Sequence, residues 1–446
     1  MNDLNHSRRL AARLCAIPLL LAGAVSALAD ARYVDVNSTN ATPPYTNWTT
    51  AATNIQDAVD AAVAGDEIVV TNGIYATGGR DGNRVEVDKL LSLRSINGPQ
   101  VTAISGGRAV RCVYMTNEVR LSGFTLINGF SHSLPGGGVY GGILDNCTLT
   151  SNSVGSSIQL GGNLYLVGGG AIYSTLNNCT LNGNWVGATN TSQAATTQAH
   201  GGGAYQCMLN NCTVSGNSAI AIGSGASQFG GGTWGCNLSN CISFGNYVVG
   251  SSGRHCVDCY SPGVLGDGGN WFGDPLFVDQ ASGDLRLQSN SPCINAGNNA
   301  FAPAGPDLDG NPRIAGGTVD IGAYEFQSPA SMISYAWLQQ FNLPINSATD
   351  TADPDGDGVD NYHEWLAGTD PTNPLSFPPL LTLIPYGANV ILTWPTNAVG
   401  FTLQSTTKLG SRAVWDTNSP RPVVIGGQNV IINPISGPQQ FYRLSQ

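Results

Sequence analysis

The chain is poor in charged residues and almost without lysine. Only 11% of its 446 residues are Asp, Glu, Lys or Arg, and the only lysines are Lys89 and Lys408. Acidic residues outnumber basic ones, so the formal net charge is -11. Because phosphate binding needs basic patches, this balance argues against nucleic acid and anionic membranes as partners. A strongly anionic polysaccharide would also be repelled.

Long apolar runs are missing beyond the first thirty residues. Arg8, Arg9 and Arg13 precede an apolar stretch from Cys15 to Ala29 that ends in Ala-Leu-Ala. This order predicts a secretory signal peptide over residues 1–29, with cleavage before the next residue. No later stretch is apolar enough to span a bilayer. We therefore expect a secreted or cell-surface protein without a transmembrane segment.

Glycine, in contrast, is abundant and repeats at a regular spacing. Four Gly-Gly-Gly runs are each followed by an Asn-Cys pair and, five residues past the cysteine, by another asparagine. A leucine stands three residues before each cysteine. This repeat predicts a short strand, an asparagine corner and a second short strand, with Leu and Cys pointing inward and the following Thr pointing outward. The pairs are Asn146-Cys147, Asn178-Cys179, Asn211-Cys212 and Asn240-Cys241, and the trailing asparagines are Asn152, Asn184, Asn217 and Asn246.

Such units bury their apolar rows only by stacking, so the repeat predicts a β-solenoid. Asparagine tolerates left-handed backbone at sharp corners. We expect the corner asparagines and cysteines to lie above one another as structural ladders, with amides bonding from coil to coil. The pattern resembles the right-handed parallel β-helix of the pectin-lyase-like superfamily. That resemblance implies a mainly β fold and no particular activity.

Ten of the 11 cysteines lie beyond the predicted signal peptide, in an oxidising compartment. The four ladder cysteines are expected to be buried thiols, since Cys behaves as a small hydrophobe. Cys207 and Cys236 occupy matching positions of adjacent coils, where a disulfide is geometrically feasible. Cys256 and Cys259, beside His255, favour a local disulfide, with a metal site as the alternative.

A short amphipathic helix is predicted before the repeats. Ile55, Ala58, Val59 and Ala62 form one apolar face that ends at Gly65. This helix is expected to cover the first coil. A covered end prevents association through exposed strand edges, so we expect a monomer.

The segment after the last repeat carries a distinctive order of motifs between Gly273 and Phe326, including Asp307-Leu-Asp-Gly-Asn-Pro-Arg313. This order resembles the closing segment of secreted bacterial β-helix proteins of the "choice-of-anchor" kind. The resemblance covers residues 30–327, which we take as one β-helix domain. It implies a secreted or surface protein and does not imply a reaction.

The sharpest chemical motif follows in residues 328–376. It has the D-x-D-x-D-G-x5-E spacing of a calcium loop, with Gly358 at the sharp turn. It resembles the loops of dockerins, thrombospondin type 3 repeats and EF-hands. Dockerins normally carry two such loops, so the single loop favours a calcium-stiffened spacer over cohesin docking. The predicted calcium ligands are Asp353, Asp355, Asp357, the Val359 carbonyl, Asn361 and Glu364.

Residues 377–446 alternate in hydrophobicity over six short segments that are divided by Gly, Pro and Asn turns. This spacing predicts a small β-sandwich. Trp394 and Trp415 are expected to pack in its core, although indole rings also stack on sugars.

Two functions are compatible with these features. The segments between repeats, 153–167, 185–200 and 218–229, are rich in hydroxyl and amide groups, which favours non-catalytic binding of a polysaccharide or cell-surface glycan. The alternative is a polysaccharide lyase or glycoside hydrolase of the same fold, which needs acid and base groups. The repeats show no such cluster at recurring positions. The weak catalytic candidates are His132, His200, Arg254 and His255.

Overall fold

The computed structural model describes residues 29–158, 163–190, 196–223, 225–250, 255–256, 269–376, 379–396, 401–410, 413–417, 420–435 and 437–445. The predicted signal peptide, apart from its last residue, lies outside the described residues. Within the described ranges, no helix has the length and apolar character needed to cross a membrane.

Residues 31–250 contain the parallel β-solenoid that the repeat predicts, so the fold prediction is confirmed. Each complete coil gives one strand to each of three parallel sheets. Sheet 1 contains Ala31–Val34, Glu67–Val70, Ser92–Ser95, Arg120–Ser122, Ile143–Asp145, Thr175–Asn177, Met208–Asn210 and Asn237–Ser239. Sheet 2 contains Gly73–Tyr75, Thr102–Ser105, Thr125–Ile127, Thr148–Thr150, Thr180–Asn182, Thr213–Ser215 and Ile242–Phe244. Sheet 3 contains Asn83–Val87, Arg111–Met115, Val139–Tyr140, Ala171–Ile172, Ala204–Tyr205 and Thr233–Trp234.

The corner between sheets 1 and 2 is formed by the Asn-Cys pairs. Asn146, Asn178, Asn211 and Asn240 all have positive φ values, from 47° to 52°. This left-handed backbone is the one that asparagine tolerates. The cysteines that follow are fully buried and stack along the core. The Cys147 N–H, for example, donates to Cys179 Sγ at 3.4 Å.

The amide ladder runs through the trailing asparagines, at the far end of sheet 2. Nδ2 of Asn152 donates to Oδ1 of Asn184, Asn184 donates likewise to Asn217, and Asn217 to Asn246, at 2.9 to 3.0 Å. The same Oδ1 atoms accept the backbone N–H of the ladder asparagine in the preceding coil. All four side chains are buried. These bonds therefore join coil to coil inside the molecule.

The corner asparagines do not form the expected ladder of amide bonds from coil to coil. Only one bond joins two of these side chains, from Asn240 Nδ2 to Asn211 Oδ1 at 3.1 Å. The amide nitrogens of the corner asparagines also bond to the chain that follows the last coil. Asn178 Nδ2 donates to the Pro306 carbonyl and Asn211 Nδ2 to the Asp320 carbonyl, each at 3.1 Å. Their side chains project away from the coil, so they hold that later segment instead of each other.

The glycine runs lie directly against the amide ladder. The first glycine of each run has positive φ, 69° at Gly168 for example. A Cβ on Gly169 would lie 2.5 Å from the Trp185 carbonyl oxygen, and one on Gly170 would lie 3.0 Å from Cγ of Asn184. The same contacts recur in the neighbouring coils. We call this region, the ladder asparagines with the four glycine runs, the neck.

The segments between repeats leave the coil at the neck and return to it as two strands each, although their hydroxyl- and amide-rich composition does not indicate strands. They form two parallel sheets, which we call the wing, packed around small apolar side chains. Sheet 4 contains Phe130–His132, Ser153–Ile158, Trp185–Asn190, Ser218–Ile222 and Tyr247–Gly250. Sheet 5 contains Leu164–Val167, Thr197–His200, Ser227–Phe229 and His255–Cys256. The core between them contains Val154, Leu164, Leu166, Val186, Ala188, Ala199, Ala219, Ala221 and Ala226.

Helix α1 (Ile55–Ala61) packs against the first strands of sheets 1 and 3, as predicted for a cap. Its N-cap is Asn54, whose side chain accepts the N–H of Asp57 at 3.0 Å. Ile55, Ala58 and Val59 join the solenoid core. A short 3-10 turn, Trp48–Thr50, precedes this helix.

The predicted disulfide between Cys207 and Cys236 is not formed. Both residues are buried free thiols, and the Cys207 N–H donates to Cys236 Sγ at 3.3 Å. They stack as neighbours in adjacent coils in the manner of the ladder cysteines. The side chain of Cys256 and the whole of Cys259 lie outside the described residues, so that pair stays a prediction.

The closing segment, residues 269–326, folds back along the outer face of sheet 2. It begins as one more parallel partner of that sheet at Trp271, continues through the antiparallel strands Phe277–Asp279 and Asp284–Leu287, and has a 3-10 turn at Asn299–Phe301. The Ala323 N–H donates to Thr213 Oγ1 at 3.1 Å. The outward threonines of this sheet are therefore covered, and Thr180 is buried rather than exposed to solvent.

Three short helices follow: α2 (Tyr335–Gln340), α3 (Ser347–Asp350) and α4 (Asn361–Ala367). The described residues after 376 form two small antiparallel sheets. One contains Thr382–Tyr386, Asn389–Pro395, Gln428–Pro434 and Val423–Ile425, and the other contains Thr402–Thr406 and Phe441–Ser445. Trp394 is buried in the core of this unit. The Arg443 guanidinium lies 4.2 Å above the ring of Trp415.

Replacing a ladder asparagine should destabilise the solenoid strongly. In Asn184→Ala, the Asn152 N–H and the Leu149 carbonyl lose buried partners. At roughly 1–3 kcal/mol for each unpaired group, we expect a loss of about 2 kcal/mol or more in the free energy of unfolding. Asn237→Ala, in an exposed position of sheet 1, is the matched control. Equal denaturation midpoints for the two variants would contradict the structural role of the ladder.

Candidate functional site

The loop predicted to bind calcium brings its three aspartates together. Oxygen atoms of Asp353, Asp355 and Asp357 all lie within 4.8 Å of one another. Asp353 also accepts the backbone N–H groups of Gly356 and Gly358, which fixes the turn. Helix α4 begins at Asn361, so it carries the last four positions of the loop, Glu364 included.

Five buried oxygen atoms at this loop have no hydrogen-bond partner. They are Asp355 Oδ2, Asp357 Oδ2, Asn361 Oδ1 and both carboxylate oxygens of Glu364. Glu364 and Asn361 are completely buried. Burial first, and then the charges of Asp355, Asp357 and Asp353, raise the pKa of Glu364 to about 7. Calcium takes six to eight oxygen ligands, and an unpartnered buried carboxylate is otherwise costly, so this donor set fits a calcium ion.

A second candidate site is the outward face of sheet 4, which is open to solvent. Phe130, Trp185 and Tyr247 share one register row, on the first, third and fifth strands, with Ser153 and Ser218 between them. Trp185 is 39% exposed and Tyr247 is 50% exposed. We call this face the platform.

Glycines give the platform its flat surface. Gly155 and Gly187 occupy the neighbouring row of the sheet. A Cβ on Gly187 would come 2.4 Å from the Trp185 ring, and one on Gly155 would lie 3.3 to 3.4 Å from the rings of Phe130 and Trp185. The six-membered ring of the indole therefore contacts both glycines, and a side chain on either would collide with it or crowd it.

A continuous series of rings fills the angle between sheets 3 and 5. Tyr165 Oη and Tyr205 Oη are 2.8 Å apart, and the Arg111 guanidinium lies 5.7 Å from the centre of the Tyr140 ring. Successive ring centres lie 4.8 to 6.5 Å apart, in edge, stacked or tilted contacts that pack sheet 5 against sheet 3. The rings belong to Tyr114, Tyr140, Tyr173, Tyr205, Tyr165, His200, Phe229 and Trp234.

His200 lies within this aromatic series and is only 6% exposed. Its ring centre is 5.1 to 5.2 Å from those of Tyr165, Phe229 and Trp234. Neither ring nitrogen has a hydrogen-bond partner. Burial lowers the pKa of His200 to about 4. The imidazole is therefore neutral at pH 7 and packs as one more aromatic ring.

The two candidate catalytic residues whose side chains are described, His132 and His200, do not converge. His132 is exposed on the platform, where its Nδ1 is 3.1 Å from Ser133 Oγ, whereas His200 lies on the other side of the wing. The side chain of His255, in the strand His255–Cys256, and all of Arg254 lie outside the described residues. Sequence reasoning missed the platform. The feature of the sequence that could have indicated the platform is an aromatic residue directly after a ladder asparagine, as in Asn184-Trp185 and Asn246-Tyr247.

Comparisons with known proteins say little beyond the fold. No protein-family profile matches the chain, and a search of curated proteins found no match. Among solved structures, the crystal structure of pectate lyase Pel9A is similar at 13% sequence identity with a TM-score of 0.25. The match covers 66% of this chain and 96% of that one. A similarity at this level says nothing about activity or substrate.

His200 should make the protein sensitive to acid. The unfolded chain binds a proton near pH 6.5 and the folded chain only near pH 4, so stability is lost as pH falls between these values. His200→Phe should keep the ring packing and lose less stability between pH 7 and pH 4.5 than the parent protein. His132→Phe, at an exposed position, should leave the parent pH profile unchanged. An unchanged profile in His200→Phe, measured by denaturant unfolding, would contradict this account.

Proposed function

We propose that this chain is an exported protein that binds a neutral or weakly charged extracellular polysaccharide through the platform, without cleaving it. The observation that carries the proposal is the Trp185 ring, which packs against Gly155 and Gly187 and stays 39% exposed on the outward face of sheet 4. Aromatic rings with one face free are natural stacking surfaces for the apolar faces of sugar rings.

The spacing of the platform rings suits an extended chain. The rings of Phe130 and Trp185 meet over Gly155, where a Cβ would lie 3.3 to 3.4 Å from both. Neighbouring strands lie about 4.8 Å apart, so the backbone positions of Trp185 and Tyr247, on alternate strands, lie roughly 9.6 Å apart. This distance is close to the length of one disaccharide in an extended β-1,4-linked polysaccharide. Trp185, with Phe130 beside it, and Tyr247 would then contact every second sugar of a chain that runs along the solenoid axis. Many weak contacts of this kind add up through multivalency.

The described part of the platform has no charged side chains, and this favours a neutral ligand. The outward positions of sheet 4 carry aromatic, aliphatic, glycine and hydroxyl residues, including Ile220, Ile222 and Val249, and no Asp, Glu, Lys or Arg among those described. An uncharged face on a protein with a net charge of -11 offers nothing to pair with the carboxylates of a uronate polymer.

The same face supports binding more than hydrolysis or elimination. His132 and Tyr247 are the titratable side chains on the described part of the platform, and Ser133 is the polar neighbour of the His132 ring. Glycosidases use two carboxyl groups, and lyases need a base with charge stabilisation nearby. The described residues of the platform provide neither arrangement.

Removal of a platform ring should weaken binding. We expect Trp185→Ala and Tyr247→Ala each to weaken binding to a neutral polysaccharide about tenfold, or roughly 1.4 kcal/mol. Tyr173→Ala, an equally exposed tyrosine on the other side of the wing, is the matched control. Affinity electrophoresis or calorimetry against a panel of neutral and anionic polysaccharides measures the effect.

Two results would contradict the proposal. One is binding that survives loss of both Trp185 and Tyr247 and is lost in Tyr173→Ala. The other is release of unsaturated or reducing-end products that disappears in His132→Ala, which would favour the lyase or hydrolase alternative.

We also propose that the loop from Asp353 to Glu364 binds one calcium ion. Its role would be structural: the ion would supply positive charge where several carboxylates crowd, and the five unpartnered oxygen atoms would be its ligands. The Val359 carbonyl would be a further ligand, as the spacing of the loop predicts.

Calorimetry should find one calcium per chain. Glu364→Gln should weaken calcium binding at least tenfold, because it removes a buried carboxylate whose two oxygens have no other partner. Asp360→Asn is the matched control, since this side chain caps helix α4 and accepts the His363 N–H, and asparagine caps equally well. Equal calcium affinities in the two variants would argue against the site.

A further inference from the structure

We infer that calcium binding in the loop is coupled to docking of the closing segment, so that the ion holds the C-terminal end of the solenoid closed. This inference rests on the calcium site proposed above and adds a role for it. The segment expected to be a spacer shares both an apolar core and a chain of hydrogen bonds with the end of the solenoid.

The apolar connection is a single cluster of buried residues. It begins at Ile242 in the last strand of sheet 2 and includes Cys293 and Ile294 of the closing segment. It continues into Ile333, Tyr335 and Leu338 around helix α2. Tyr362 and Trp365 of helix α4, the helix that carries Glu364, pack against the same cluster. The position of helix α4 is therefore linked to the packing of the last coil.

A polar connection begins at the predicted calcium ligand Asn361. Its Oδ1 has no partner, while its Nδ2 donates to the Thr349 carbonyl at 2.8 Å. The next residue, Asp350, is buried and accepts hydrogen bonds from Ser331 Oγ and from the Met332 N–H. These bonds tie helix α3 and the loop to the start of the segment that contains helix α2.

The connection then enters the closing segment. The Ser331 carbonyl accepts from Asn295 Nδ2 at 2.8 Å, and the Asn295 N–H donates to Asp320 Oδ1 at 2.7 Å. The Asp320 carbonyl accepts in turn from Asn211 Nδ2 at 3.1 Å, which is a corner side chain of the solenoid. Every side chain in this path is buried, so each bond is shielded from water.

The ion matters for this assembly because the loop is unfavourable without it. The carboxylates of the half-buried Asp355 and Asp357 and of the buried Glu364 repel one another when no cation lies between them. The repulsion acts on both ends of the loop, and one of those ends is helix α4. If calcium binding favours docking of the closing segment, then by linkage docking must strengthen calcium binding by the same factor.

The coupling can be measured in the full mature chain with calcium or with a chelator. Hydrogen exchange should show slower exchange with calcium in residues 291–323, which lie outside the loop, as well as in residues 346–367. The thermal unfolding midpoint of the solenoid should also rise with calcium concentration.

The effect of docking on calcium affinity gives a second test, at a residue that contacts none of the predicted calcium-coordinating side chains. Ser331→Ala removes the hydroxyl bonded to Asp350 and should weaken calcium binding several-fold. Ser282→Ala is the matched control, since this exposed serine lies in the turn between the two strands of the closing segment. We expect its calcium affinity to equal that of the parent protein.

The outcomes separate the two proposals. Calcium binding with slowed exchange confined to residues 346–367, together with an unchanged affinity in Ser331→Ala, would overturn the coupling and leave the site intact. A chain that binds no calcium at all would overturn both.

Discussion

The fold depends on close packing at the neck, where the chain leaves each coil and comes back. A coil interrupted there would expose its core unless the two crossing segments met without a gap. Glycine provides the close approach, because a Cβ at Gly169 or Gly170 would collide with a backbone carbonyl or with the Asn184 amide. The asparagine ladder then satisfies the polar groups that this packing buries. The solenoid core and the wing core are thereby separated, and each can form its own sheets.

The neck also determines which surfaces stay open. The outer face of sheet 2 is covered by the closing segment, held by the corner asparagines. The outward rings of sheet 3 are packed against those of sheet 5, with His200 in the middle. Sheet 4 faces away from both and receives no such cover from the described chain. The wing therefore places Trp185 and Tyr247 on a flat surface that the solenoid alone would not possess.

Much of the fold was predictable from the sequence. The Leu-x-Asn-Cys spacing gives the coil, the corner and the buried thiol stack, because a constant spacing within every repeat leaves few ways to bury a leucine and a cysteine in each turn. The roles of the two asparagines were less clear, because both tolerate turns and both carry amides. Only the direction of the side chain separates Asn184, which points into the neck, from Asn178, which points at the closing segment. The wing was hidden because its inward residues, such as Ala188 and Ala221, are small and resemble loop composition.

Buried carboxylates after the last coil differ in whether the protein itself supplies their hydrogen-bond partners, and this difference distinguishes a structural carboxylate from a candidate metal ligand. Asp320 and Glu325 are as buried as Glu364. Yet Asp320 accepts backbone N–H groups on both oxygens, and Glu325 accepts those of Ala315 and Asp320 beside the Arg313 guanidinium. These carboxylates are satisfied within the protein and have a structural role. Glu364 has no partner for either oxygen, and the sequence alone distinguishes it only through the loop spacing. A buried carboxylate left unpaired in a folded chain calls for a cation, and the loop spacing makes Asp355, Asp357 and Asn361, whose buried oxygen atoms are also unpaired, its partners in holding one.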